Sequence, residues 1–263
     1  MSDVFGSAGR LGYIAPSTCE RLAKEFYGVV PDDLGLLIAT LPITRIHSDH
    51  VTLALEQVER AAVQLAETGA DAIFSAGLPL VLDGGGEPFD AELRQRLEDA
   101  TGLPCGTDLG ASLEAIRGLG LDDVVLVTPF TDDVTDRIVA ALRAAGVGVL
   151  AGSGLGHERQ REYGLLPSSA PTEVIDRLLA EHPDARGVYV PCGRFGDVHA
   201  ISALEKQFGL PVVTANQVVL WWSLRWAGLH PVVDDCGQLL GGLTGAISGS
   251  LNAPALVTSE ATP

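Results

Sequence analysis

Short, β-branched apolar runs alternate with amphipathic stretches along most of this chain. The runs are LGYIAP, LGLLIATL, ADAIFSA, LPCGTD, VVLVTP, GVGVLAG, GVYVPC and LPVVTA. Between them, apolar positions recur at helical spacing over residues 18–27, 50–68 and 90–100, and again in stretches ending at Gly118, Ala145, Phe208 and Ala227. This alternation predicts an α/β fold, a parallel sheet with helices on both faces. Several runs are apolar throughout, as strands covered on both faces should be. Thr131, Asp132 and Asp133 place a cap and negative charge at the helix start after VVLVTP, and Asp197 can do the same after Cys192.

The pattern also repeats. ADAIFSAG, a helix ending EDATGLPCGTD and a further helix ending GLG resemble ARGVYVPCG, a helix ending EKQFGLPVVTA and a further helix ending AGL. Strand, helix, turn, strand and helix recur in the same order, which predicts two related lobes. The first spans residues 1–120 and is completed by about 213–230; the second spans 121–212. Residues 231–263 are rich in Gly, Ala, Ser and Pro without periodicity, so they read as an irregular tail that can pack on a neighbouring subunit in a homo-oligomer.

Composition narrows the partners. The 263 residues, 46% hydrophobic, suffice for one large or two small cores. A formal charge of −17 repels nucleic acid and anionic membrane surfaces. A small anionic ligand stays compatible, because backbone N–H groups and helix N-termini make local positive sites. The start MSDVFGSAGR has no signal-peptide character, and no stretch approaches the roughly 18 apolar residues of a membrane span. A cytoplasmic location is expected. The four cysteines, Cys19, Cys105, Cys192 and Cys236, lie far apart without a CxxC pair, which signals neither a disulfide framework nor a zinc site.

In open α/β sheets ligands sit beyond the C-terminal strand ends. The candidate positions are therefore Pro16 to Cys19, Ala76 to Pro79, Thr128 to Thr131, Pro191 to Arg194, and Thr214 to Asn216. Cys192 ends a strand before Gly193 and a helix start, where N–H donors can favour thiolate; as a residue type it is equally a small buried hydrophobe. Ser17, Thr18 and Cys19 lie in the first such loop, where the hydroxyls can instead cap the next helix. Cys105 reads as core, and Trp221, Trp222 and Trp226 as core or subunit interface. His47, Asp49 and His50 match no metal-site spacing and read as loop and cap. His157, Glu158 and Arg159 form a polar loop beside Gln160, and Gly84 to Gly86 read as a turn.

Taken together, GVYVPCG with GLPVV, the loop IAPST, ADAIFSAG, VTPFTDDVTDRIVAAL and ATGLPC resemble the aspartate/glutamate racemase superfamily, in its arylmalonate decarboxylase and maleate cis-trans isomerase branch. The resemblance covers about residues 11–228. It implies two Rossmann-like (flavodoxin-like) lobes about a pseudo-twofold axis, an active site between them, and neither cofactor nor metal. Cys192 matches the second catalytic cysteine of that superfamily and Gly77 stands where the first would be, which is the decarboxylase pattern. Losing one thiol removes two-base chemistry but leaves protonation of a carbanion. Where the decarboxylase has two hydroxyls this chain has Leu78 and Pro79, and where both branches have a tyrosine it has Phe130, so the substrate differs from theirs. Position 19, an asparagine in the isomerase, is Cys19.

Three readings follow. In the first, a substituted malonate-like acid loses CO₂ and Cys192 reprotonates the product, with Pro16, Ser17, Thr18, Gly77, Leu78, Pro79, Thr128, Phe130, Gln160, Gly193 and Asn216 holding the substrate. In the second, Cys192 and Cys19 together isomerise or racemise a small carboxylate. In the third, the chain binds a carboxylate without turnover.

Overall fold

The apolar runs become strands because each can be covered on both faces. In the computed structural model these are β1 (Gly9–Ala15), β2 (Leu34–Thr40), β3 (Ala72–Ser75), β4 (Cys105–Thr107), β5 (Asp123–Phe130), β6 (Gly148–His157), β7 (Gly187–Val190) and β8 (Val212–Thr214). The structure describes residues 6–43, 48–230 and 233–242, without the side chains of 48–56. The helices between strands are α1 (Glu20–Val29), α2 (Ser48–Glu67), α3 (Leu78–Gly84), α4 (Glu87–Thr101), α5 (Asp108–Gly118) and α6 (Asp132–Ala144). They continue with α7 (Gln160–Gly164), α8 (Thr172–Glu181), α9 (Ile201–Phe208), α10 (Ala215–Trp226) and α11 (Gly237–Gly241).

Two four-stranded parallel sheets result, ordered β2-β1-β3-β4 and β6-β5-β7-β8. The second order is the first with every index raised by four, so the echo in the sequence is a repeat of topology. Both GLP turns follow a helix that ends in a left-handed glycine, Gly102 and Gly209, each at φ 69°. The central strands β3 and β7 are buried along their whole length, whereas the edge strand β2 alternates towards solvent. In each sheet the strand order reverses beside its first strand, which opens a crevice at the C-terminal edge.

Residues 213–230, expected to complete the first lobe, instead continue from β8 of the second sheet, and their helix α10 packs against α5, which follows β4 of the first. Thr107 and Thr214, ending β4 and β8, cap these two helices, and Thr214 shares a reciprocal capping box with Gln217. The Tyr189 hydroxyl on β7 shares a 2.7 Å hydrogen bond with Ser112 Oγ on α5. Phe74 meets Trp222 edge-on, and Trp222 stacks on Trp226, so the tryptophans belong to the core around α10.

Some details differ from the sequence expectations. Thr131 stands at the N-cap of α6, but its side chain makes no capping bond. Asp197 does cap, accepting the His199 N–H at 3.0 Å. Helices α3 and α8 lie where no helix was expected. Within the tail, Gly237–Gly241 is helical and buries Cys236, Leu239 and Leu240 against the fold. Its entry is fixed by Gln217 Nε2, which donates to the Cys236 carbonyl at 2.7 Å. His47 lies outside the described residues, and Asp49 and His50 fall in the part of α2 whose side chains are not described.

Candidate active site

The loops after β1, β3 and β7, the end of β5 and the start of α10 converge on one pocket of about 770 Å³, counted to its open mouth. Pro16, Ser17, Thr18 and Cys19 come from the β1 loop, and Gly77, Leu78 and Pro79 from the β3 loop. Phe130, Gln160, Cys192, Gly193 and Asn216 complete the set expected from sequence. Thr128 is the exception and does not line the pocket. It is fully buried, with its hydroxyl hydrogen-bonded to Thr135 at 2.7 Å and accepting the Phe130 N–H at 3.1 Å, so it shapes β5 rather than the pocket wall.

Cys192 is 8% exposed. Its turn is tight: its own N–H donates to the Val190 carbonyl at 2.9 Å, and the Phe195 N–H donates to the Cys192 carbonyl at 3.0 Å. Burial pushes the thiol up to about 12, with the nearby Asp108 carboxyl adding to the rise; the Arg194 and Phe195 N–H groups oppose it without prevailing. The N–H donors expected to favour thiolate are thus present but outweighed, and the sulfur holds its proton at neutral pH. Cys19 is the N-cap residue of α1 and half-buried; burial raises its thiol as well, with Arg194 pulling the other way. Neither Ser17 nor Thr18 caps α1, so both hydroxyls remain available at the pocket.

Positive potential comes from backbone. The N-termini of α1 and α10 both open on the pocket, at Cys19 and at Ala215 and Asn216. Gly193 adds an N–H that bonds to nothing among the described residues. Among the described residues Arg194 is the one guanidinium lining the pocket: Nη2 pairs with Glu20 Oε1 at 2.7 Å and Nη1 donates to the Gln160 carbonyl at 3.2 Å, while its buried Nε has no partner among the described residues. Gly193 is required by closeness, since a Cβ there would meet Asn216 Oδ1 at 2.5 Å. Gly77 is required by conformation, at φ 121°.

Four residues that matter here were not singled out from sequence, and a fifth was named only as the end of a range. Tyr13, Asp108 and Tyr163 line the pocket. Tyr163 meets Phe130 edge-on at 5.5 Å, and burial raises its phenol, with Cys192 adding to the effect. Arg194 closed the candidate range Pro191 to Arg194 without a role of its own. Glu25, buried on α1, accepts from Asn216 Nδ2 at 2.7 Å and from the Val198 N–H at 3.3 Å, and Asn216 Nδ2 also donates to the Gly193 carbonyl at 2.8 Å. Their apolar or charged neighbours in sequence give no hint, because each role depends on a contact across the lobes or between loops. A glutamate on the apolar Leu22 and Phe26 face of α1 is the one signal that could have been caught. No group of three or more metal-ligating side chains occurs among the described residues.

The fold and pocket so described are those of a bilobal α/β enzyme with a thiol between its lobes. The sequence profile of the arylmalonate decarboxylase family matches residues 11–240, and the chain belongs to that family. It is 27% identical over 222 residues to the arylmalonate decarboxylase of Bordetella bronchiseptica, covering 84% of this chain and 92% of that one. It is 28% identical over 239 residues to a maleate isomerase of Nocardia farcinica, covering 88% and 95%. A liganded variant of arylmalonate decarboxylase superposes with a TM-score of 0.81 at 25% identity, over 88% of this chain and 98% of the other. Among the described residues no helix is long and apolar enough to cross a membrane.

Proposed function

We propose that this chain decarboxylates a small substituted malonate-like acid without a cofactor, with the Cys192 thiol as proton donor. The observation that carries the reading is a buried, protonated thiol on the wall of a pocket that the apolar side chains of Leu78, Pro79 and Phe130 also line. The retained carboxylate sits at the second-lobe donors, the Gly193 N–H and the N-terminus of α10, with α1 alongside. The other carboxylate lies against the apolar wall, where desolvation favours its neutral product, CO₂. The C–C bond breaks, its electron pair passes into an enediolate held by the backbone donors, and the Cys192 S–H delivers its proton to carbon. The thiolate then regains a proton from solvent. Four free cysteines fit a reducing, cytoplasmic setting for this chemistry.

A second reading is favoured by one observation, that Cys19 lines the same pocket as Cys192. Two thiols in one pocket suit isomerisation of a small unsaturated dicarboxylate or proton exchange next to a carboxylate. Proton NMR in D₂O with disubstituted malonates, maleate and chiral amino and hydroxy acids separates the two. Loss of CO₂ with deuterium at the α-carbon, reduced about 10²–10⁴-fold by Cys192→Ala and little by Cys19→Ala, supports the decarboxylase. Isomerisation or exchange lost equally in both variants supports the two-thiol mechanism. Ligand binding without turnover by any of these acids counts against both.

A further inference from the structure

Asp108 is the first residue of α5 and 7% exposed. Its Oδ2 accepts the N–H groups of Gly77 and Leu78, both at 3.1 Å. Its Oδ1 has no hydrogen-bond partner among the described residues, although the side chain lines the pocket. A carboxyl oxygen that no protein group bonds, on a side chain lining a ligand pocket, is an acceptor open to a donor on the ligand. The Tyr13 hydroxyl, 5% exposed and lining the same pocket, is likewise without a hydrogen bond among the described residues.

The pocket is therefore two-sided. On the second-lobe side, α10 and the Gly193 N–H offer donors. On the first-lobe side the amides of Gly77 and Leu78 already hold a carboxylate that belongs to the protein, and Pro79 has no N–H to give. A ligand carboxylate placed beside Gly77 and Leu78 finds both of those amides taken and meets a second carboxyl group in a low-dielectric site.

We propose that Asp108 selects the substituent of the substrate: the group facing Asp108 is a hydrogen-bond donor, an ammonium or a hydroxyl, and not a further carboxylate. This rests on the proposed function in one respect, that the retained carboxylate sits at the second-lobe donors. Asp108 so becomes a specificity residue, and the substrate class narrows to malonate-like acids whose side chain ends in a donor. The two oxygens of one side chain divide the work: Oδ2 is fixed by the backbone, and that fixes where Oδ1 points.

The test uses malonates that differ only in the α-substituent: aminomethyl, hydroxymethyl, ethyl and carboxymethyl. Dissociation constants are measured by isothermal titration calorimetry on the full chain, with Cys192→Ala replacing it for any acid that is turned over. The wild-type chain should bind the aminomethyl and hydroxymethyl acids at least about tenfold tighter than the carboxymethyl acid, with ethyl between them. In Asp108→Asn, aminomethyl and carboxymethyl should come within about threefold of each other. Equal or tighter binding of the carboxymethyl acid by the wild-type chain overturns the proposal whatever the variant does, as does an unchanged preference in a folded Asp108→Asn or no binding of any of the four. The proposed function is judged separately, by CO₂ release and its dependence on Cys192, so either idea can fail while the other stands.

Discussion

Cys192 and Cys19 bring two thiols to one pocket from different lobes, and burial separates them chemically. A thiol held near 12 is almost entirely protonated at pH 8, and the thiolate is the form that alkylates. Cys19 is half-buried and lines the pocket, whereas the other three cysteines are buried, so iodoacetamide at about pH 8 should modify it well before Cys192, Cys105 or Cys236. Peptide mass spectrometry over a time course checks the order. Faster labelling of Cys192 would mean an activated thiolate and favour the nucleophilic mechanism over proton donation. At this scale the sequence was informative where function follows strand ends: Pro16 to Cys19, Gly77 to Pro79 and Cys192 to Gly193 all reach the pocket, because a loop after a parallel strand has nowhere else to go. Thr128 shows the limit of that rule. β5 runs on to Phe130, so Thr128 still lies within the strand, where its hydroxyl bonds Thr135. Asp108 and Tyr13 were illegible for a related reason, since nothing in their neighbourhood along the chain announces the Gly77 and Leu78 amides or the empty side of the pocket.

The elements are joined across the lobes by a short polar chain. Glu25 on α1 accepts from Asn216 on α10, and Asn216 in turn holds the Gly193 carbonyl beside Cys192. Asn216→Ala removes the donor to both, leaving a buried carboxylate oxygen and a carbonyl unsatisfied, which costs about 1–3 kcal/mol. Urea denaturation should show that loss as a lower midpoint with an unchanged slope, and turnover should fall as well because the Cys192 turn loosens. A variant as stable as the wild-type chain would mean that water replaces the amide. All eight strands were legible from their apolar runs, and the duplicated order from the GLP echo, because hydrophobic period and left-handed glycine caps are local properties. Helices α3 and α8 were missed: α3 begins LPLV, an all-apolar start that carries no helical period, and α8 follows the Pro- and Ser-rich stretch LLPSSAP. The short α11 owes its form to Gln217 and Glu205, which bind its backbone, and not to its own Gly-rich sequence.

For the whole molecule, buried carboxyls and net charge act in the same direction. Burial raises Glu25 to about 7 and Asp90 to about 6, and raises Asp108, Glu114 and Glu205 too. In the unfolded chain these groups titrate near pH 4. Between about pH 4 and 7 the folded state therefore binds more protons than the unfolded one, so their contribution to stability is complete at the acid end and is lost as pH rises through 6 and 7. Glu20 and Glu162 shift the opposite way, but they lie at the surface, where solvent screens them. The formal charge of −17 adds self-repulsion that also eases as carboxylates protonate. The chain should accordingly be more stable at about pH 5.5 than at about pH 8, by of the order of 1–3 kcal/mol in urea denaturation. Salt divides the two causes, since screening acts on the surface repulsion and hardly on buried groups. Raising ionic strength from about 0.05 to 0.5 M should narrow the difference without closing it, and Glu25→Gln should narrow what remains, because a neutral side chain there has no proton to lose. Stability that is flat or rising between the two pH values would mean that Glu25 and Asp90 are ionised without cost, and that water reaches both.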